Sequence, residues 1–82
     1  MNYTIDKLKN ALIELTDKSI AEGNGDKKCT SKFFDTVQAT NDKIAMLCKD
    51  DELYEFLVFS TLLEIAIAKY NILQLNHFLK KY

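Results

Sequence analysis

This chain lacks arginine, tryptophan and proline altogether and has only two glycines among its 82 residues. Because arginine is the side chain best suited to bidentate contacts with guanine and phosphate, its absence argues against sequence-specific DNA binding. The lysines form no basic stripe and the net charge is −1, so the sequence predicts no nucleic-acid partner. Without proline, and with both glycines in residues 23–25, the chain has a single strong turn signal.

Long uninterrupted apolar runs are also missing. Residues 53–68 are the most apolar part of the chain, but Glu55 and Glu64 leave only eight uncharged residues between them. A membrane-spanning helix needs about 20 apolar residues. The first 18 residues are interrupted by charges, unlike the apolar region of a signal peptide. We therefore expect no membrane span and a cytoplasmic location.

Cysteine is scarce as well, and the two cysteines are too far apart to pair. Cys29 precedes a predicted helix and Cys48 lies near its end. At about 1.5 Å per helical residue they would be more than about 25 Å apart, whereas a disulfide needs Cα atoms within about 7 Å. The spacing predicts two separate reduced thiols, in agreement with a cytoplasmic protein.

The pattern of apolar residues predicts an all-α protein, a single helical domain over residues 1–82. Three helices are expected, at about residues 5–22, 31–49 and 51–80. Thr4 is the expected cap of the first helix and Gly23 its left-handed stop, while Thr30 or Ser31 caps the second. The architecture that follows is a small up-down three-helix bundle with a long, highly apolar third helix.

The third helix raises two questions that the sequence leaves open. Its residues 53–68 are apolar all around the helix and must be covered on several sides, so Leu62 and Ile65 are expected in the core. Acidic residues at its start and Lys80 and Lys81 at its end favour one continuous helix, since both complement the helix dipole. The alternative is a chain that turns near residues 69–71 and forms a fourth short helix after about Asn71.

The end of this helix carries the candidate binding residues. In a continuous helix, a narrow apolar stripe with polar flanks would project beyond the first two helices. Large side chains in such a stripe are typical anchors of a protein interface. The predicted partner-binding residues are Tyr70, Ile72, Leu75, Phe78 and Leu79.

No group of residues in the sequence points to catalysis or to a bound cofactor. His77, the only histidine, has no acid or nucleophile one helical turn away, and the spacings typical of zinc ligands are absent. The glycine turn at residues 23–25 follows a helix and precedes no G-K-[ST], so it predicts no phosphate site. We expect a non-enzymatic protein without metal or cofactor.

What remains is a protein that binds another protein. It would form a homodimer, or it would neutralise, protect or chaperone one target, as bacterial or phage immunity proteins, antitoxins and inhibitors do. The lysine-, asparagine- and isoleucine-rich composition without arginine suits an AT-rich bacterial or phage genome. The alternative is a small hydrophobic ligand in a cavity of the helical core, lined by Phe33, Phe56, Phe59, Leu62 and Ile65.

The spacing of the two cysteines makes a direct prediction. Purified protein, kept from intermolecular oxidation, should have the same mobility with and without reductant, and two thiols should react after unfolding. Intact-mass measurement of the alkylated chain checks this. An intramolecular Cys29–Cys48 bridge would contradict the second helix itself, because that helix is what separates the two residues.

Overall fold

Four α-helices account for most of the chain in the structure, a computed structural model that describes residues 2–82. They are α1, Tyr3–Ala21; α2, Ser31–Ala45; α3, Leu53–Lys69; and α4, Ile72–Lys81, with a short 3-10 turn, Asp50–Glu52, before α3. This described part contains no β-strand, only an isolated bridge between the α1–α2 loop and the α3–α4 junction. The all-helical fold class predicted from the sequence is confirmed.

α1 begins two residues before its predicted start because Asn2, not Thr4, caps it. The side-chain oxygen of Asn2 accepts a hydrogen bond from the Ile5 N–H at 3.0 Å, which satisfies a free donor of the first turn. The Asn2 amide donates to the Glu52 carbonyl, and the Tyr3 N–H donates to the Glu52 carboxylate, each at 3.0 Å. These hydrogen bonds hold the first residues of α1 against Glu52, the residue that precedes α3. Thr4 is a buried residue within α1.

α1 ends at the glycine that the sequence indicates. Gly23 has a φ of +87°, in the left-handed region that favours glycine. Its N–H donates to the Ile20 carbonyl at 3.0 Å, and the Asn24 N–H donates to the Ser19 carbonyl at 3.0 Å. This pair of hydrogen bonds is the Schellman ending of a helix.

The loop after α1 is tied to the junction between α3 and α4. The Leu73 N–H donates to the Gly25 carbonyl at 2.8 Å, and the Ile72 N–H donates to the Lys27 carbonyl at 3.0 Å. These carbonyls accept from the free N–H groups at the start of α4, which have no partner inside their own helix. The α1–α2 loop is therefore part of the packed structure.

α2 is capped by Thr30, as predicted, but it ends at Ala45 instead of residue 49. The Thr30 hydroxyl accepts from the Phe33 N–H at 3.1 Å. Hydrogen bonds of the i to i+3 type, from the Leu47 N–H and the Cys48 N–H, tighten the end of the helix. Residues 46–52 then form the connection through which the chain passes from α2 to α3.

The prediction of one continuous helix over residues 51–80 is wrong, and the alternative of a fourth helix is the one observed. Tyr70 is extended, and Asn71 starts α4 with a capping box. The Gln74 N–H donates to the Asn71 side chain at 2.8 Å, and the Asn71 N–H donates to the Gln74 side chain at 3.0 Å. These reciprocal hydrogen bonds begin a new helix without glycine or proline.

The core is built from one face of each helix, and α4 packs mainly against α1. The buried apolar residues are Ile5, Leu8 and Leu12 of α1, Val37 and Ile44 of α2, Phe56, Phe59, Leu63, Ala66 and Ile67 of α3, and Ile72, Leu75 and Leu79 of α4. Leu62 and Ile65 are absent from this set, with 38% and 57% of their surface exposed. The prediction that these two lie in the core is wrong, because all three neighbouring helices pack on the opposite side of α3.

A polar network that is buried at Asn76 and Thr16 and reaches the surface at Asp17 and Lys80 fixes α4 on α1. The amide of Asn76, which is 2% exposed, donates to the Thr16 hydroxyl at 2.8 Å and to the Asp17 carboxylate at 2.9 Å. Lys80 forms an ion pair with Asp17 at 3.3 Å, and the Thr16 hydroxyl donates to the Leu12 carbonyl at 2.9 Å. Because an unpaired buried amide is costly, this network disfavours any shift of α4 along α1.

The two adjacent leucines Leu62 and Leu63 test which side of α3 is the core. Leu63 is 2% exposed and Leu62 is 38% exposed. Leu63→Ala should lower the free energy of unfolding by about 2–5 kcal/mol through lost burial and a cavity. Leu62→Ala should cost less than about 1 kcal/mol. Urea unfolding of both variants measures the difference. Equal losses would contradict the observed orientation of α3, in which Leu63 faces the core and Leu62 faces solvent.

Two buried threonines give a second matched pair, with effects of opposite sign. The Thr4 hydroxyl oxygen is buried without a hydrogen-bond partner, so Thr4→Val should raise the free energy of unfolding by about 1 kcal/mol. Thr16→Val removes the acceptor of Asn76 and should lower it by about 1–3 kcal/mol. Thermal and urea unfolding check both. A stabilising Thr16→Val would mean that the network with Asn76 contributes nothing.

Candidate protein-binding surface on α3

α3 buries one apolar face and exposes a second one on the opposite side. The exposed residues recur at intervals of three or four, the spacing of one face of a helix. They form what we call the outer face: Tyr54, Leu57, Val58, Thr61, Leu62 and Ile65. The two apolar stripes together explain why this segment is hydrophobic all around, although only one stripe contributes to the core.

The exposed apolar area of the outer face is as large as the largest apolar patch of a typical monomer. Tyr54, Leu57 and Ile65 expose 79%, 54% and 57% of their surfaces, and Val58 and Leu62 add smaller shares. With roughly 150–200 Å² for a full side chain, the five present on the order of 450 Å². The largest apolar patch on a monomer typically measures about 300–600 Å² and is often functional. The outer face falls in that class.

Neighbouring helices border the outer face without covering it. On one edge, the Ser60 hydroxyl donates to the Asn41 side chain of α2 at 2.9 Å. On the other edge, a shallow groove runs between Leu62 and Ile65 of α3 and Phe78 of α4. The outer face is therefore a ridge with α2 on one side and α4 on the other.

An aromatic cluster extends this surface beyond the end of α3. The Tyr70 and Phe78 ring centroids lie 6.4 Å apart, and the Phe78 and Tyr82 centroids lie 5.9 Å apart. These rings line an open groove with Gln74 and His77. Tyr70 and Phe78 also line the groove beside Ile65, so apolar surface continues from the outer face onto α4.

The structure divides the five residues predicted to bind a partner into two groups. Ile72, Leu75 and Leu79 are buried in the core of the chain itself, because α4 folds back onto α1. Tyr70 and Phe78 are half-buried and lie at the border of the outer face. The helical spacing identified a real apolar stripe, but its buried part covers α1.

The outer face itself was missed by the sequence reasoning. The signal was present, because the exposed residues have helical spacing of their own. It was hidden by the second apolar stripe on the same helix, and spacing alone does not indicate which of two stripes is buried.

Charged residues at both edges of the outer face form no ion pair with any other residue in the described range 2–82. Glu64 lies on the edge near α2, and Glu55 and Lys69 lie on the edge near α4, as the helical positions require. Among the described residues the one ion pair joins Lys80 and Asp17. The Lys69 ammonium lies 5.8 Å from the centre of the Tyr70 ring. These edge charges are free to pair with groups outside the chain.

The described residues bear on two common requirements of catalytic sites, a cluster of metal ligands and a reactive thiol. Between residues 2 and 82, no cluster of three or more His, Cys, Asp or Glu side chains is placed to hold a metal ion. Both cysteines are free thiols, and burial raises the pKa of the Cys29 thiol above its usual range. A raised pKa keeps the thiol neutral near pH 7 and makes it a weak nucleophile.

The residues of the alternative ligand cavity lie on opposite sides of α3. Phe56 and Phe59 are buried on the inner side, whereas Leu62 and Ile65 belong to the outer face. They do not line one common cavity.

No helix in the described part of the chain is both long and apolar enough to cross a membrane.

Comparison with protein-family models, with curated proteins and with solved structures found no match for this chain.

Proposed function

We propose that this protein is a non-enzymatic binding module that recognises a protein partner through the outer face of α3. The observation that carries the proposal is the set of five large apolar side chains exposed at helical spacing on the side of α3 opposite the core. Covering this surface on binding would remove apolar area from water, which is the main driving force of protein association.

The open shape of the outer face favours a protein partner over a small-molecule ligand. A binding site for a small molecule is a concave cavity that encloses most of its ligand. The outer face instead carries a depression that is wide open to solvent and would not enclose a small molecule; it is lined by Tyr54, Leu57, Val58, Thr61 and Leu62. An amphipathic helix or a second ridge fits such a surface. Tyr70 and Phe78, which were predicted to bind a partner, would extend the contact onto α4.

The biological role that we propose follows from this mode of action. A small helical protein with one exposed apolar helix face would self-associate, or would neutralise, protect or chaperone one target. The composition supports a bacterial or phage protein, because lysine, asparagine and isoleucine without arginine suit an AT-rich genome. The two free thiols support a cytoplasmic location, where disulfides are rare.

Site-specific photo-crosslinking tests this proposal. A photoreactive phenylalanine analogue replaces Tyr54, which is 79% exposed on the outer face. The matched control carries it at Leu73 of α4, which is 41% exposed beside the α1–α2 loop. Irradiation in the source cells should produce a protein adduct from position 54 and none from position 73. Adducts from both positions, or from neither, would contradict a specific role for the outer face.

A second readout uses Ile65→Lys, with Leu73→Lys as its control. Ile65→Lys places a charge in the middle of the outer face, so it should abolish the adduct from position 54. Because Ile65 is exposed, the free energy of unfolding should change by less than about 1 kcal/mol. Far-UV circular dichroism and thermal unfolding verify that both variants remain folded. An adduct that survives Ile65→Lys would contradict the proposed surface.

A further inference from the structure

The outer face has a second regularity that concerns the identity of its partner. Tyr54, Thr61 and Ala68 are seven residues apart, and so are Val58 and Ile65. The two series alternate at intervals of four and three, the a and d positions of a heptad repeat. All five positions are exposed and face away from the core. Two of them, Thr61 and Ala68, contribute only small side chains. This spacing, held over two heptads, aligns the five residues in one line along which a second helix can pack.

The edge charges are arranged so that the surface complements itself. Glu64 and Lys69 are five residues apart, about 140° around the helix, and therefore lie on opposite edges of the outer face. They do not meet within one helix, where pairs form at separations of three or four. A two-fold axis parallel to α3 brings the α2-side edge of one copy against the α4-side edge of the other. Each Glu64 then meets Lys69 of the second copy.

We infer that the partner of the outer face is a second copy of this chain, with the two α3 helices packed in parallel about that two-fold axis. The inference rests on the proposed function and specifies its partner. Two symmetric Glu64–Lys69 pairs flank the contact, in the g to e positions that set orientation in coiled coils. Val58 and Ile65 place β-branched side chains at the a positions, as parallel two-stranded coiled coils do. The d positions carry Tyr54, Thr61 and Ala68 in place of the leucine of those coiled coils, so the edge charges carry the argument for the orientation. The net charge of −1 opposes the approach of two copies only weakly.

The antiparallel arrangement of the same two faces is less favourable. There the same edges face each other, so Glu64 meets Glu64 of the second copy while Glu55 meets Lys69. One like-charge contact at the centre then offsets part of the attraction at the ends. The parallel arrangement places no like charges of α3 in contact.

The area available fits a dimer of modest stability. The outer face offers on the order of 450 Å² of apolar surface. Two copies together would bury on the order of 900 Å² of it, which is below the roughly 1,200 Å² of stable specific interfaces and in the range of weak, transient ones. Apolar surface of Tyr70 and Phe78 beside Ile65 adds to the edge.

Charge reversal tests the inference, with sedimentation velocity and native mass spectrometry as readouts of dimerisation. Wild type should be a dimer at tens of micromolar in low salt. Glu64→Lys and Lys69→Glu should each weaken the dimer by roughly tenfold, because each brings like charges together. The double variant Glu64→Lys/Lys69→Glu should restore it to within about threefold of wild type. Glu64→Gln, which removes the charge without reversing it, should have an intermediate effect.

Cysteine crosslinking tests the orientation. In a Cys29→Ser/Cys48→Ser background, Tyr54→Cys alone should form a disulfide-linked dimer upon mild oxidation, and so should Ala68→Cys alone. In an antiparallel pair these positions would be about 20 Å from their own copies. An equal mixture of the two variants would then crosslink where neither does alone. An antiparallel pair also predicts that Glu55→Lys/Lys69→Glu restores the dimer and that Glu64→Lys/Lys69→Glu does not. These two results, the mixed crosslink and the changed restoration, would overturn the parallel arrangement.

A wild-type chain that stays monomeric at several hundred micromolar would overturn the inference as a whole. The proposed function would then be judged separately by the mass of the photo-adduct from position 54. An adduct with a different protein would retain the binding surface and reject the second copy as its occupant. Absence of any adduct would reject both. Thermal unfolding of each charge variant, which should match wild type, excludes misfolding as the cause of a lost dimer.

Discussion

The packing of α4 on α1 decides how every other helix is covered. α4 packs mainly against α1, and its Leu75 and Leu79 share one core cluster with the apolar stripe of α1. With that stripe occupied, α3 contributes only its inner side to the shared core. If the chain continued as one helix from residue 51 to residue 80, this part of α1 would lose its cover. The return of the chain after Lys69 therefore completes the core, and the same arrangement leaves the outer side of α3 open.

Polar contacts between distant segments specify this arrangement more sharply than apolar burial does. Apolar faces tolerate some sliding, because burial depends on area and has little directionality. Asn76 pairs with Thr16 inside the core, and Asn2 pairs with Glu52 at the start of α3. Each contact leaves a buried or partly buried polar group unpaired if its helix shifts, which costs about 1–3 kcal/mol. The fold is fixed at both ends of α1 by hydrogen bonds that only one register satisfies.

Local signals in the sequence identified the end of α1 and the start of α2, but not the turn that sets the architecture. Gly23 and Thr30 act through their own backbone neighbours, so their roles could be predicted from the sequence. The turn at Asn71 also has a local signal, since Gln74 three residues later completes a capping box. The lysines at the end of α4 complement a short helix as well as a long one, and they favoured the wrong alternative. The exposure of Ile65 was not predictable, because it depends on which side of α3 receives the other three helices.

The amino acids of the outer face are not explained by the stability of the folded chain. A polar residue at an exposed helix position costs little in stability, usually within about 0.5 kcal/mol. Large apolar residues there contribute little burial and increase the tendency to associate with other molecules. Glu64 and Lys69 at the edges keep the ridge bounded by charge, as at the rim of a protein interface. Folding thus accounts for the inner stripe of α3 but not for the outer one, and the proposed association with a partner would account for it.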